Sequence, residues 1–260
     1  MTALPLAGRS VVVTRSREQA SEVVARLEAL GADVVELPVI AIDDPADGGE
    51  ALERAAHRLV AGAYTWVACT STNAATRLLA ALAGRPVPDS VHWAAVGPGT
   101  AAALAAGGIT AGLVPEVAVS DELAGAFPEL DPPGSASVLI PRAESVRGEL
   151  AEGLRAKGWL VDEAVAYRTV AGAPTPAAVD AARRSDAIAF TSSSTVERSV
   201  DLLGADGIPP VVVTIGPVTS GSARRSGLAV TGEASPHTLA GLIDALTAAL
   251  AANGERRSAR

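Results

Sequence analysis

A chain of 260 residues with 48% hydrophobic and 19% charged residues, 25 Gly and 17 Pro has the make-up of a folded, soluble protein, long enough for one large domain or two small ones. Its 29 acidic and 21 basic residues leave a net charge of -8, with basic residues massed only at Arg256, Arg257 and Arg260, which argues against a nucleic-acid partner. The single lysine (Lys157, where a helix should end), the single cysteine (Cys69) and three histidines without metal-ligand spacing exclude a Walker-type phosphate site, a Schiff-base enzyme, an internal disulfide and a structural zinc site.

Residues 1–9 lack a basic start followed by a long apolar stretch, and nowhere do about 18 apolar residues run unbroken, so a cytoplasmic protein without membrane contact is expected. Residues 10–15 have the pattern of a strand, followed by a helix with Val23, Val24, Leu27 and Leu30 on one face and Gly31 as its stop. A strand over 34–37 precedes the Pro/Gly/Asp-rich stretch 43–49. Residues 65–71 form the next strand and lead through Thr70, Ser71, Thr72 and Asn73 into a helix. Ala94, Ala95 and Val96 form another, closed by Gly97-Pro98-Gly99-Thr100 and a helix ending at Gly108. Ser120-Asp121 opens a short amphipathic pattern around Leu123, and 131–135 breaks the chain again.

The pattern then recurs. Residues 137–142 lead into a helix with Leu150 and Leu154, stopped by Gly158, and a strand starts at Leu160, so Arg142, Leu154 and Gly158 repeat Arg15, Leu27 and Gly31 at a spacing of 127. After the break at 171–176, the strand 186–192 with Thr191, Ser192, Ser193 and Ser194 repeats the first Thr-Ser turn. Gly216-Pro217-Val218-Thr219 repeats Gly97-Pro98-Gly99-Thr100, and Leu239-Ala240-Gly241 repeats Leu123-Ala124-Gly125 in a short pattern opened by Ser235-Pro236. Four matched units in one order argue for duplication. Alternating strands and helices imply parallel sheets of about five strands, flanked by helices.

In such sheets ligands bind beyond the carboxyl ends of the strands, where helix N-termini offer N–H groups to anions. The Thr-Ser and Gly-Pro turns lie there, although Ser, Thr and Asn also serve as ordinary N-caps. Arg15 and Arg142 follow the first strand of each repeat, with Arg147 a turn into the next helix; a cation at a helix start calls for an anion nearby. The segment 97–102 also fits a G-x-G-x-x-A dinucleotide pattern, weakly, because its repeat has Val218 for the second glycine. A G-x-S-x-G elbow is absent.

V-x-V-T-R at 11–15, the paired Thr-Ser and Gly-Pro turns, P-R-A-E-S-V-R-G-E-L at 141–150 and A-Y-R-T at 166–169 together resemble the uroporphyrinogen-III synthase family of tetrapyrrole biosynthesis, over residues 11–246. The resemblance implies an α/β fold of two similar small domains with helix-flanked parallel sheets, joined by a two-stranded β-ladder. Domain one is then 1–36 with 171–260, domain two 43–162, and 37–42 and 163–170 the connecting strands. It further implies a cofactor-free and metal-free monomeric enzyme that closes linear hydroxymethylbilane to uroporphyrinogen III, losing water and inverting ring D through a spiro intermediate, and meets hydroxymethylbilane synthase transiently.

Tyr167 is the candidate general acid. Thr14, Arg15, Ser71, Thr72, Asn73, Gly97, Thr100, Arg142, Arg147, Ser192, Ser193, Ser194, Gly216 and Thr219 are the candidate contacts for the eight substrate carboxylates. The alternative from another class is a non-catalytic two-domain binding protein for a small anion.

Overall fold

The computed structural model describes residues 4–15, 17–145 and 148–258, with the side chains of 17–19, 21 and 255–258 left aside. In chain order the elements are β1 (Ser10–Val13), α1 (Arg17–Ala29), β2 (Asp33–Glu36), β3 (Ile40–Asp43), α2 (Glu50–Val60), β4 (Trp66–Cys69), α3 (Thr72–Leu82), β5 (His92–Ala95), α4 (Pro98–Ala106) and α5 (Ser120–Ala126). They continue as β6 (Ser137–Ala143), α6 (Glu149–Ala156), β7 (Leu160–Ala171), α7 (Pro176–Arg183), β8 (Ala187–Phe190), α8 (Ser193–Leu203), β9 (Val211–Thr214), α9 (Pro217–Arg225), β10 (Gly232–Glu233) and α10 (Leu239–Ser258).

Two compact units result, Met1–Ala41 with Val170–Arg260, and Ile42–Thr169. The first carries a five-stranded sheet in the order β10-β9-β8-β1-β2, parallel throughout. The second carries β3-β7-β6-β4-β5, in which β7, β6, β4 and β5 are parallel. The duplication explains both orders. β1 and β2 are the repeat counterparts of β6 and β7, and β4 and β5 those of β8 and β9, so β9-β8-β1-β2 and β5-β4-β6-β7 are the same arrangement. Each sheet therefore joins two strands of one repeat to two of the other, where the periodicity alone divides the chain into consecutive halves.

Each sheet is covered on both faces, as the continuous apolar runs require. Val11 and Val13 enter a cluster with Val23, Leu27, Leu242 and Leu246, while Val12 between them enters another with Ile188, Phe190 and Val196. In the second unit Val67 and Cys69 pack with Leu78 and Leu139, and Ala68 packs with Ile140, Leu150 and Trp159. This is the two-residue alternation of side chains along a strand. Leu37, Val39 and Ile40 are buried in the first unit's core, so the chain leaves that unit only at β3.

The duplicated helix stops are real stops. Gly31 (φ 88°) and Gly158 (φ 87°) end α1 and α6 in the left-handed region, where an L-residue is strained. The short pattern expected after Ser235-Pro236 is instead the 20-residue α10, because Leu242, Leu246 and Leu250 continue the buried stripe at helical spacing. Lys157 donates from Nζ to the carbonyls of Gly125 (2.7 Å) and Phe127 (2.6 Å), closing the end of α5. No helix among the described residues is long and apolar enough to cross a membrane.

Candidate functional site

In both units the strand order reverses direction at one place: between β1 and β8 in the first, and between β6 and β4 in the second. At such a switch point the loops leaving the two strands run to opposite faces and open a crevice beyond their carboxyl ends. The candidate residues cluster at or beside these two points.

In the second unit Ser71 caps α3 from an extended backbone, its Oγ accepting the Ala74 N–H at 3.1 Å. The same Oγ accepts a hydrogen bond from the Tyr167 hydroxyl at 3.1 Å. Tyr167 comes from β7, and β6 lies between β7 and β4, so its ring crosses the end of β6. Ala143, its register partner there, is small enough to leave room, and both residues lie in one apolar cluster. Tyr167 as a whole is 7% exposed, and its hydrogen bond to Ser71 fixes the phenol at the N-terminus of a helix.

The neighbouring turn opens α4. Gly97 is extended (φ -172°), a conformation open to any residue, but a β-carbon there would lie 2.7 Å from Ala118 Cβ. Close approach, not dihedral freedom, is what demands glycine. Thr100 is buried one turn on, and Thr72 Oγ1 faces Gly99 across the two turns. Gly99 lies within α4, and a β-carbon there would make only an ordinary contact, 3.9 Å to Thr72 Oγ1, so no close approach demands glycine. Asn73 occupies the first turn of α3.

In the first unit the equivalent turns keep the same design. Ser192 caps α8, accepting the Thr195 N–H at 3.4 Å, with its Oγ 3.0 Å from Ser194 Oγ, and Ser193 opens the helix. Gly216 caps α9 from an extended backbone (φ 174°), and Thr219 is buried in the first turn. A β-carbon at Gly216 would meet the His237 ring at 3.4 Å. His237 is a functional candidate that sequence reasoning misses. Its Nδ1 lies 2.8 Å from the Ala234 carbonyl oxygen, an acceptor that assigns the N–H to Nδ1 and leaves Nε2 for a ligand. No spacing to another residue marks it; only the fold brings it to the Gly216 turn.

Two expectations need correction. Thr14 is fully buried and its hydroxyl donates to the Ala189 carbonyl at 3.1 Å, so it ties β1 to β8 and presents nothing to a ligand. Arg142, expected to hold a carboxylate of the ligand, holds one of its own chain. Its Nε lies 2.8 Å from Glu163 Oε2, outside hydrogen-bond alignment, and its Nη1 donates to the carbonyls of Ala143 (2.9 Å) and Glu144 (3.2 Å). The other Glu163 oxygen accepts from Arg155 at 2.8 Å.

Arg15 differs. It follows β1 in a bend, and its Nε is buried without a hydrogen-bond partner. Burial lowers the guanidinium pKa, and Glu22 partly opposes that. Arg147 lies outside the described residues.

Elsewhere the reactive groups are committed. Cys69 is wholly buried, and burial pushes its thiol up to about 12, which removes it as a nucleophile. Tyr64 donates to Asp162 and accepts from Arg58 Nε at 2.9 Å, at the amino ends of the strands. A groove of about 580 Å³ lined by Leu79, Leu82, Val87, Trp93 and Ile109 also lies at that opposite end, away from every candidate residue. Among the described residues no group of three or more His, Cys, Asp or Glu side chains is placed to hold a metal ion.

Comparison with known proteins agrees with this layout. Residues 21–244 match the family model of uroporphyrinogen-III synthase HemD. The chain is similar to a uroporphyrinogen-III synthase of Synechococcus elongatus, 31% identical over 95% of this chain and 97% of that one. In structure it is similar to a uroporphyrinogen III synthase variant from the extremely thermophilic bacterium Thermus thermophilus, with a TM-score of 0.62, 19% identity, and 94% and 99% of the two chains covered. A Helicobacter pylori uroporphyrinogen-III synthetase gives 0.59 at 16% identity, over 91% and 97%. These two structures speak for the fold; the family match and the curated relative together place the chain in the uroporphyrinogen-III synthase family.

Proposed function

We propose that the chain closes linear hydroxymethylbilane to uroporphyrinogen III with loss of water and inversion of ring D, and that Tyr167 is the acid for the departing hydroxyl. The observation that carries the proposal is the hydrogen bond between buried Tyr167 and half-buried Ser71 at the start of α3. The substrate supplies most of the driving force itself. An electron-rich pyrrole expels its hydroxymethyl oxygen to give an azafulvenium, which the substituted carbon of ring D attacks to form the spiro intermediate. The protein's part is to hold the folded chain of rings and to protonate the leaving oxygen.

The geometry suits that step. Ser71 Oγ already accepts two hydrogen bonds, from Ala74 N–H and from Tyr167, so its own hydrogen is free to donate. When the phenol proton passes to the leaving hydroxyl, that oxygen departs as water. The phenolate left behind can accept the Ser71 hydrogen and face the positive end of α3. In each unit by itself, the turns at Thr72, Asn73, Gly97 and Thr100, and those at Ser192, Ser193, Ser194, Gly216 and Thr219, offer N–H groups and hydroxyls suited to carboxylates, with a net charge of -8 offering no long-range attraction. Hydroxymethylbilane synthase, which makes the unstable substrate, is the natural transient partner.

The test is to mix the purified chain with freshly generated hydroxymethylbilane, oxidise the products and resolve the isomers. Type III is expected. Type I alone, the product of spontaneous closure, from folded protein would overturn the reading in favour of an anion-binding protein.

A further inference from the structure

We propose that the duplicated arginines have diverged: Arg15 is the charged anchor for a substrate carboxylate at the switch point between β1 and β8, and Arg142 is not its equivalent but a strut of its own unit. The proposal rests on the reaction assigned above and goes beyond it by naming the charged contact.

Arg15 and Arg142 occupy the same place in the repeat, and each has an acid at the same register on the adjacent strand. Glu36 pairs with Val13 across β1 and β2, as Glu163 pairs with Ile140 across β6 and β7. In the second unit this acid is paired with the arginine: Glu163 lies 2.8 Å from Arg142 and 2.8 Å from Arg155. In the first unit it does not. Glu36 is exposed and Arg15 makes no ion pair among the described residues; its Nε, like that of Arg142, is buried without an aligned hydrogen-bond partner, but unlike Arg142 it has no paired carboxylate beside it. Glu22, the acid whose charge is felt at Arg15, is bound to Arg26 at 2.7 Å.

A guanidinium keeps its proton in a protein, so burial cannot be relieved by neutralisation. A guanidinium whose buried Nε–H is unmet, in the bend between β1 and α1, is matched best by a planar oxyanion. The substrate carries eight. Arg142 is held by an ion pair to Glu163, shared with Arg155, and by carbonyl contacts that pin the loop after β6, so its side chain is engaged within its own unit.

The experiment measures anaerobic binding of uroporphyrinogen III by calorimetry to the wild type and to Arg15→Gln, Arg15→Lys and Arg142→Gln, with thermal melts as the folding check. Arg15→Gln is expected to weaken binding by about 10- to 100-fold, as for loss of a charged hydrogen bond. Arg15→Lys should recover part of the loss, since it keeps the charge and loses the fork. Arg142→Gln should lower the melting temperature and leave binding within error of the wild type. Unchanged binding by Arg15→Gln, or an equal loss in Arg142→Gln, overturns the proposal. Isomer analysis of the wild type separates the two claims: type III product with unchanged Arg15→Gln binding sinks this proposal alone, whereas type I product without wild-type binding sinks both.

Discussion

Replacing Tyr167 by phenylalanine removes one oxygen and leaves the ring that crosses the end of β6. The structural loss is the 3.1 Å hydrogen bond to Ser71 Oγ. A neutral hydrogen bond contributes about 0.5–1.5 kcal/mol net, and Ser71 keeps its capping bond to Ala74, so the melting temperature should fall by only about 1–6 °C. The catalytic loss should be far larger. A positioned general acid is worth about 10²- to 10⁴-fold, or roughly 3–5 kcal/mol of activation free energy. The assay follows uroporphyrinogen III formation from fresh hydroxymethylbilane at 25 °C, where the variant stays folded, and reads kcat and KM separately. A fall in kcat with little change in KM is the signature of an interaction made in the transition state. A Tyr167→Phe variant with wild-type kcat would refute the acid role and leave the phenol as a packing residue.

Other perturbations address the turns and the committed side chains. Gly97→Ala should destabilise by about 1–3 kcal/mol and lower activity, because the new methyl meets Ala118 Cβ at 2.7 Å, whereas Gly99→Ala, within α4 and 3.9 Å from Thr72 Oγ1 at its new methyl, should stabilise by about 0.5–1 kcal/mol; circular-dichroism melts of the two variants check both. Loss of activity in stable Gly99→Ala would revive the dinucleotide pattern. The Tyr64 pKa is raised by burial, then by its hydrogen bond to and the charge of Asp162. Because the unfolded chain ionises first, the stability Tyr64 contributes is present below about pH 10 and is lost as pH rises above it, so denaturant midpoints should drop in that window in the wild type and less in Tyr64→Phe. Ser71→Ala removes both the α3 cap and the acceptor of Tyr167, and should cost about 0.5–2 kcal/mol of stability in chemical denaturation.

The strands and their covering helices were legible because the information is local. Val11, Val12 and Val13 alternate between two cores, and the Gly31 and Gly158 stops need only a glycine where the helical stripe ends. The exchange of strands between repeats was not legible from periodicity, since β1 would suit any parallel neighbour and pairs with β8 far along the chain. That exchange is also what brings Tyr167 to Ser71, so their pairing is a property of topology and not of spacing. Side-chain commitment was invisible for a different reason: Glu36 and Glu163 look alike in sequence, and only the packing around Arg142 turns one of them into its partner. His237 reaches the Gly216 turn through the segment after β10, which no pattern foretells.

The proposed function requires this chain to redirect ring closure with its own side chains. It is tested most directly in a single-turnover experiment with protein in excess over fresh hydroxymethylbilane, after dialysis against a chelator, so that enzymatic closure outruns the spontaneous reaction. Type III uroporphyrinogen is expected as the dominant isomer, rising with protein concentration. A product that stays type I at every protein concentration would contradict it.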